Sequence, residues 1–174
     1  MPSVPPVQIR GVEATATSVA LSYLSNVTAG NLLVYCHGTD AARSGISDNN
    51  SGTISAGVSR DNGTDVFGYL DYVANCGGGA TQVTVTSASA QTHCLIIAEH
   101  SGIATASPLD KTAAGNGFGS AALTAATATT AQANELLVGF TVASTAFVTY
   151  VPGTSYTEEL EAGEIRASEY EDRV

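Results

Sequence analysis

The sequence predicts an all-β protein, a sandwich or barrel of about eight to ten antiparallel strands with little or no helix. Ala, Thr, Ser, Gly and Val dominate its 174 residues, and Thr and Val favour the pleated strand over the helix. Glycine-rich breaks recur at short intervals, at Gly52, Gly63, Gly77–Gly79, Gly115–Gly119 and Gly153. Short runs separated by regular turns are typical of sandwiches and barrels.

Five segments carry the strand pattern of alternating or clustered apolar residues. Apolar side chains occupy every second position in Val19–Tyr23, Val83–Val85 and Leu136–Val142, the period of a half-buried strand. Asp65–Val73 and Phe147–Val151 are two further predicted strands.

Two other strands are apolar on both faces. In Asn31–His37, Leu32, Val34 and Cys36 point one way, while Leu33 and Tyr35 point the other. His93–His100 repeats this pattern, with Leu95 and Ile97 opposing Cys94 and Ile96. Such strands lie in the centre of a sheet, or have their second face covered by a loop or partner. We expect Ile97→Asp and Val138→Asp to abolish folding, because each places a charge in an apolar layer.

Polar segments separate these strands. Gly38–Ser55 is rich in Asp, Asn, Ser and Gly and predicts a long surface loop with one short strand. Residues 101–119 predict a second long loop.

The three cysteines are too far apart in sequence to form a metal or redox motif. Cys36 and Cys94 lie in apolar runs, which predicts buried free thiols, with a Cys36–Cys94 bridge as the alternative. Cys76 precedes three glycines, so we expect it in a more exposed loop.

The domain organisation follows from the two ends of the chain. Residues 1–10 contain Pro2, Pro5 and Pro6 and predict an extended arm, with Val4, Pro5 and Pro6 as candidate contacts to a neighbouring subunit. Residues 11–174 predict a single β-sandwich domain with an acidic C-terminal segment, 158–174. That segment forms either solvent-facing edge strands, whose charge opposes aggregation, or an acidic arm that docks on a basic partner.

Charge excludes two classes of partner. Sixteen acidic and six basic residues give a net charge of −10, which argues against nucleic acid and against an anionic membrane surface. The first six residues lack the pattern of a signal peptide, so we expect none.

Catalysis is not indicated by any pattern in the sequence. There is no G-x-S-x-G motif, and His93 and His100 are seven residues apart, so in a regular strand they face opposite sides. Glu99 ends an apolar strand, but spacing identifies no second carboxylate to pair with it. We therefore expect Glu99 to accept hydrogen bonds from loop amides, and Glu99→Gln to leave the fold intact without loss of a reaction.

Calcium is the one cofactor that the sequence weakly suggests. Asp48–Gly52 and Asp61–Asp65 supply the oxygen ligands that Ca²⁺ prefers. Neither fits the twelve-residue calcium loop, and such clusters more often form turns. Asp61 and Asp65 are the better candidates; otherwise we expect no cofactor and no metal.

Tyrosines supply the remaining candidate contacts. Tyr69, Tyr72, Tyr150 and Tyr156 suggest a weak platform for a sugar ring, since the chain has no tryptophan. Tyrosines at a core edge or an interface more often bury the ring and keep the hydroxyl wet. The interface candidates are Tyr69, Tyr72, Tyr156 and Tyr170.

Three segments together carry a family resemblance. They are Thr28–Val34, Ala98–Ile103 with Pro108–Asp110, and Asn134–Gly139. In that order they resemble jelly-roll β-sandwich domains of tailed-phage virion proteins and of bacterial extracellular proteins, some of which are linked with carbohydrate binding. The resemblance spans roughly residues 10–172, and it carries no catalytic residue over. Such domains usually continue for a further strand or two, so a sheet edge left open here is an alternative to a completed last strand.

The resemblance implies an antiparallel jelly-roll sandwich and a non-catalytic assembly function. We expect a phage capsid decoration (cement) protein, or another virion accessory protein, on the virion surface. It would form homo-oligomers, with a trimer as our guess, and bind the major capsid protein or another virion protein. The first alternative is a carbohydrate-binding module of an extracellular protein, which binds a glycan. The second is a subunit of an extracellular filament assembled by strand donation.

Overall fold

The computed structural model describes residues 5–49, 52–117, 129–131, 135–144, 151, 156–163 and 168–173. These residues form nine strands and no helix. The strands are β1 (Gln8–Ser22), β2 (Leu32–Thr39), β3 (Arg43–Asp48), β4 (Ser55–Asp61), β5 (Phe67–Val73), β6 (Gln82–His100), β7 (Leu137–Val142), β8 (Thr157–Ala162) and β9 (Ser168–Arg173). The all-β prediction is confirmed. Most of the predicted strand Phe147–Val151 lies outside the described residues.

Six strands form one antiparallel sheet in the order β1-β6-β2-β5-β4, with β3 also paired to β6. The two longest strands organise it. The first part of β6 pairs with β3 and the end of β1, and the second part pairs with β2 and the start of β1. Between these parts the β1 register shifts from Ala16 to Ser18, the sign of a β-bulge, which bends a strand.

One correction concerns β6. The sequence predicts two strands, around Val83–Val85 and over His93–His100, but the structure has one strand of 19 residues. The intervening residues are polar or small and lie mostly at the surface, so no apolar period marks them. Pairing with β1 on both sides of the bulge continues the strand through this stretch.

The first core, here called the inner core, lies on one face of the six-stranded sheet. It contains Val83 and Val85 from the first part of β6, and Leu95 and Ile97 from the second. Both parts of the strand therefore contribute to the same cluster, and the sheet folds over onto itself. The remaining buried members are Val19, Leu21, Tyr23, Val27, Leu33, Tyr35, Val73 and Cys76.

The second core, here called the outer core, lies on the opposite face of β2 and β6. There Leu32, Val34, Cys36, Ile96 and Ala98 are buried together with Tyr170 of β9. A three-stranded antiparallel sheet, in the order β7-β9-β8, supplies the covering side chains. Every residue of β2 is buried, so the prediction that this strand is covered on both faces is confirmed.

The pattern predicted for Leu136–Val142 is also confirmed. Leu136, Val138 and Phe140 all pack on the outer core, although the strand begins at Leu137. Their alternation with residues of the other face identified this strand correctly.

The contact between β1 and β8 depends on Gly11. A Cβ at this position would lie 2.7 Å from Ala162 Cβ and 3.1 Å from Leu160 Cδ2. Gly11→Ala is therefore expected to lower the free energy of unfolding by about 1–3 kcal/mol through overpacking. Gly45→Ala is the control, because its Cβ would meet only Thr86 Oγ1, at 3.5 Å. Equal urea midpoints for the two variants would show that β8 does not approach β1 this closely.

Three further predictions need correction. β1 begins at Gln8, so the last residues of the predicted arm 1–10 belong to the sheet. The sequence missed β4, in which Val58 is the only large apolar residue. Cys76 is buried instead of exposed, because its neighbours fold back onto the turn before β2.

The acidic C-terminal segment contributes two strands. β8 lies at an edge of the three-stranded sheet, as expected, but β9 lies in its middle. The pairing of β8 with β9 is irregular, with a register shift between Glu158 and Leu160.

Candidate functional site

Glu99 joins three segments at the end of β6. Its side chain is fully buried. Oε1 accepts hydrogen bonds from the Thr28 backbone N–H at 2.8 Å and from Asn31 Nδ2 at 2.6 Å. Oε2 accepts one from Gln8 Nε2 at 2.6 Å. The expectation that Glu99 binds loop amides is confirmed, and the carboxylate ties β1 and the turn before β2 to β6.

The turn that presents Thr28 and Asn31 is itself fixed by the loop before β6. Gly30 has φ +91°, a conformation that favours glycine, and its N–H donates to the Cys76 carbonyl at 2.9 Å. The Cys76 N–H donates to the Asn31 carbonyl at 3.0 Å, and its thiol lies 3.0 Å from the Thr28 carbonyl. Cys76 is therefore part of this turn. All three cysteines are free thiols.

Loss of the Glu99 carboxylate is expected to cost substantial stability. Glu99→Ala should lower the free energy of unfolding by about 3–5 kcal/mol, because three donors lose a charged acceptor in a buried site. Glu99→Gln retains one oxygen, so the loss should be about 1–3 kcal/mol with the fold preserved. Glu158→Gln, at an exposed position of β8, should change stability by less than about 0.5 kcal/mol. Urea denaturation would measure all three, and equal midpoints for Glu99→Ala and Glu158→Gln would contradict the role assigned to Glu99.

A histidine pair occupies the far end of the inner-core face. His37 of β2 and His93 of β6 are both fully buried. His37 Nε2 lies 2.8 Å from His93 Nδ1, and His93 Nε2 lies 3.1 Å from the Ala16 carbonyl oxygen. A carbonyl oxygen only accepts, so His93 Nε2 carries the proton. His37 Nε2–H then donates to His93 Nδ1.

Aromatic and charged groups of β3 and β5 surround this pair. The His37 ring stacks on Tyr69, with centroids 5.8 Å apart. The Arg43 guanidinium carbon lies 4.1 Å from the centroid of the Tyr69 ring, and Arg43 Nη1 lies 2.5 Å from Asp71 Oδ2. A continuous polar cluster therefore crosses β3, β5, β2 and β6.

Burial keeps the pair neutral. It lowers the pKa of His37 to about 3, with smaller contributions from His93 and from the Arg43 charge. Burial also lowers the pKa of His93. Among the described residues, His37 Nδ1 and Thr39 Oγ1 are buried without a hydrogen-bond partner. Such atoms are uncommon in native proteins, and each costs free energy.

The third histidine lies in the outer core. His100 Nε2 is 2.6 Å from the Tyr170 hydroxyl, and burial lowers the pKa of His100 to about 4. His93 and His100 therefore face opposite sides of β6, as their spacing predicts.

The predicted interface residues divide by exposure. Val4 lies outside the described residues, Pro5 is exposed and Pro6 is half-buried. The half-buried tyrosines are Tyr69, which contacts the histidine pair, Tyr72, which packs on the outer core, and Tyr156. Tyr170 is fully buried. Its ring packs inside the chain, because the alternation of β9 turns it toward β2 and β6, so it offers no free surface for an interface.

The predicted calcium loop folds as a turn. Asn62 Oδ1 accepts hydrogen bonds from the backbone N–H groups of Thr64, Asp65 and Val66. Asp61 Oδ1 accepts one from Gly63 N–H at 2.8 Å, and Asp65 Oδ1 accepts one from Asn62 Nδ2. Within the described ranges no group of three or more His, Cys, Asp or Glu side chains is placed to hold a metal ion. Calcium binding by Asp61 and Asp65 stays a prediction.

An open cleft lies beside the Glu99 turn. It has a volume of about 350 Å³ and is lined by residues 22–26, Asn49 and residues 80–82. Leu24 on its wall is 74% exposed. Most of the other lining residues carry hydroxyl or amide groups.

The three-stranded sheet carries carboxylates in register. The pairing of β8 with β9 sets Glu158 opposite Glu171, and Glu161 opposite Glu169. Like charges directly opposite each other destabilise a sheet. The pairing therefore makes β8 and β9 a strongly acidic strand pair.

The histidine pair is the feature that sequence analysis missed. His37 and His93 are far apart in the chain, and each looked like an isolated residue at a strand end. The pairing of β2 with β6 sets Thr39 opposite His93 and brings the two rings together. Only the two-faced apolar pattern of both strands could have suggested that they are neighbours.

Comparison of the chain with protein-family models, with curated proteins and with solved structures found no match. Across the part of the chain that the structure describes, there is no helix with the length and apolar character to cross a membrane.

Proposed function

We propose that this chain is a non-catalytic structural protein that works by binding neighbouring subunits. One observation carries the proposal: the side chains that could act as general acids or bases are buried and hydrogen-bonded inside the protein. Glu99, His37, His93 and His100 are each at most 1% exposed, and each is hydrogen-bonded to another segment. A substrate would have to displace these internal contacts to reach them.

The finer architecture that we propose is a β-sandwich of jelly-roll type. The proposal is supported by side chains of β7, β8 and β9 that pack on the outer core, beside those of β2 and β6. The acidic β8–β9 pair belongs to the three-stranded sheet.

The specific role that we propose is capsid decoration in a tailed phage, or another accessory role on the virion. The motifs around Thr28–Val34, Ala98–Ile103 and Asn134–Gly139 suggest it. The first two of these segments meet where Glu99 binds Thr28 and Asn31. The protein would assemble as a homo-oligomer, with a trimer as our guess. It would contact the major capsid protein through its N-terminal arm and its acidic sheet.

The N-terminal arm is suited to such contacts. Its pairing with the sheet starts at Val7, whose N–H donates to the Glu99 carbonyl at 2.7 Å. Val7 is 54% exposed and Pro5 is also exposed. Of the described residues before Val7, Pro5 and Pro6 lie outside β1, so their removal should leave the β1 pairing intact.

The test measures the mass in solution by size-exclusion chromatography with light scattering. We expect a closed oligomer for the full chain and a smaller species for a variant lacking residues 1–6. Circular dichroism should show that this variant retains the strand content of the full chain. Glu161→Lys, which reverses the charge at an exposed position of β8, should weaken binding to shells of a major capsid protein without changing the oligomer. A monomer that binds no such shell would overturn the proposal.

A second candidate is a carbohydrate-binding module, favoured by the cleft at residues 22–26 and 80–82. Its hydroxyl and amide groups could bind sugar hydroxyls, and Leu24 offers an apolar contact. Tyr23 is buried and donates its hydroxyl to the Ala98 carbonyl, so it supplies no sugar platform. Titration with soluble polysaccharides, with and without Ca²⁺, distinguishes this candidate, which should bind glycan as a monomer.

A further inference from the structure

The histidine pair lies where the six-stranded sheet folds over. His93 donates to the Ala16 carbonyl oxygen, and the β1 register shifts between Ala16 and Ser18. Beyond this bulge lie Ser18–Ser22 of β1, Gln82–Ser87 of β6 and β3, here called the folded-over part. The ring of His93 thus holds the β1 backbone at the bend.

The cluster also fastens β3 to the other half of the sheet. Arg43, at the start of β3, pairs with Asp71 of β5 and lies over the ring of Tyr69. Its backbone N–H donates to the Tyr69 hydroxyl at 3.4 Å. Since Tyr69 stacks on His37, the histidine pair and the Arg43–Asp71 ion pair share one packed cluster.

A proton on this pair cannot be accommodated without loss. In the neutral pair His37 Nε2–H donates to His93 Nδ1, and the only unsatisfied ring atom is the acceptor His37 Nδ1. A proton on His93 Nδ1 forces the His37 proton onto Nδ1. That converts the unsatisfied atom into a buried N–H donor beside a buried positive charge. A second proton would place two donors 2.8 Å apart.

The charges around the pair do not offset this cost. Arg43 is positive and lowers the affinity of His37 for a proton. Asp71 is already paired with Arg43. Asp40, which favours a proton on His93, accepts the Thr92 N–H at 3.0 Å. The side chains that β1 contributes to this face are apolar, Ala14 and Ala16 among them. The titratable and charged groups that face the pair are Tyr35 of β2, Asp40 after β2, Arg43 and Asp48 of β3, and Tyr69 and Asp71 of β5.

We infer that the His37–His93 pair is an acid-sensitive latch that holds the folded-over part closed on the inner core. Above pH 6.5 both rings are neutral and the latch is shut. In acid, the open form takes up protons that the closed form cannot hold. The ratio of open to closed form then rises by about tenfold per pH unit for each proton taken up. The opening parts Arg43 from Asp71 and uncovers the inner-core face of β2 and β5. The unsatisfied His37 Nδ1 and Thr39 Oγ1 fit this device, because a cluster optimised for stability alone would satisfy them.

The test is amide hydrogen exchange at pH 7.5 and pH 5.0, corrected for the pH dependence of intrinsic exchange. In the wild-type chain, protection of the β3 amides should fall at least tenfold more than protection of the β7 and β9 amides. His93→Gln should abolish that extra loss, since glutamine offers an N–H to Ala16 and cannot be protonated. His100→Gln is the matched control: it removes a buried histidine from the outer core, so the extra loss in β3 should persist.

Two results would overturn the inference. One is a loss of protection in β3 no greater than in β7 and β9. The other is an undiminished acid effect in His93→Gln. If His93→Gln does not fold, NMR titration of the histidine rings in the wild-type chain tests the inference instead. His37 or His93 must then take up a proton at the pH where the β3 amides lose protection. Rings that stay neutral through that opening would show that the pair is not the latch.

Discussion

Ile97→Asp is expected to yield no folded protein. Ile97 is fully buried in the inner core, in the second part of β6. The change removes a large apolar side chain, which costs about 2–5 kcal/mol even for truncation to alanine. It also buries a carboxylate without a partner, at a further cost of several kcal/mol. Together these costs are comparable with the whole free energy of unfolding of a typical domain, which is about 5–15 kcal/mol.

Far-UV circular dichroism and the soluble yield would measure this effect. Ala90→Asp is the control on the same strand, because Ala90 is exposed near the bend of β6. That variant should fold with a nearly unchanged urea midpoint. Soluble, cooperatively unfolding Ile97→Asp protein would mean that the phase of β6 is not as described.

Val138→Asp is expected to have a milder effect than the sequence predicts. Val138 is only half-buried and packs on the outer core from the three-stranded sheet. The register also sets it opposite Asp172, so the substitution adds an acidic residue to a sheet that is already acidic. The substitution should therefore weaken the cover over the outer core while the inner core persists.

Acid is expected to destabilise the protein below pH 6.5, through its buried histidines. The pKa of His37 is lowered from 6.5 to about 3, and that of His100 to about 4, in both cases mainly by burial. Above pH 6.5 these rings are neutral in both the folded and the unfolded chain and contribute no difference. Below pH 6.5 the unfolded chain binds protons that the folded chain does not. The free energy of unfolding therefore decreases as the pH is lowered, down to the pKa of each ring in the folded chain.

The size of the effect follows from linkage. Each of these two histidines should lower the free energy of unfolding by about 2 kcal/mol at pH 5 relative to pH 8. His93, whose pKa burial also lowers, adds to this loss. Urea denaturation at pH 5, 6, 7 and 8 measures this loss. His100→Gln should reduce the slope of the free energy of unfolding against pH by the contribution of one titrating histidine. A free energy of unfolding that is the same at pH 5 and pH 8 would contradict the neutral, buried state of these rings.

The two polar clusters show what local sequence can and cannot reveal. Glu99 stood out because it is a charged residue at the end of an apolar strand, and its role as an acceptor for loop amides was predictable. Its donors were not, since Gln8, Thr28 and Asn31 come from segments that only the sheet brings together. The histidine pair gave no local signal, because each ring depends on the other strand for its hydrogen-bond partner.

Cys76 and β9 show the same limit. The glycines after Cys76 suggested exposure, yet hydrogen bonds with Asn31 bury it. The charges of the C-terminal segment suggested edge strands, yet β9 pairs on both sides, with β7 and with β8. Whether a residue is buried, and whether a strand lies at an edge, depends on the other segments that pack against it. The local sequence of a segment does not specify those partners.

The sequence by itself determined the all-β class, the two-faced strands β2 and β6, and the inward phase of β7. These follow from local β-propensity and from the two-residue period of side chains along a strand. The tertiary structure alone decided that β6 runs unbroken through a bend, that the sheet folds over onto an inner core, and that His37 meets His93. Those features arise from pairing between distant segments, whose register is set by how both faces are buried.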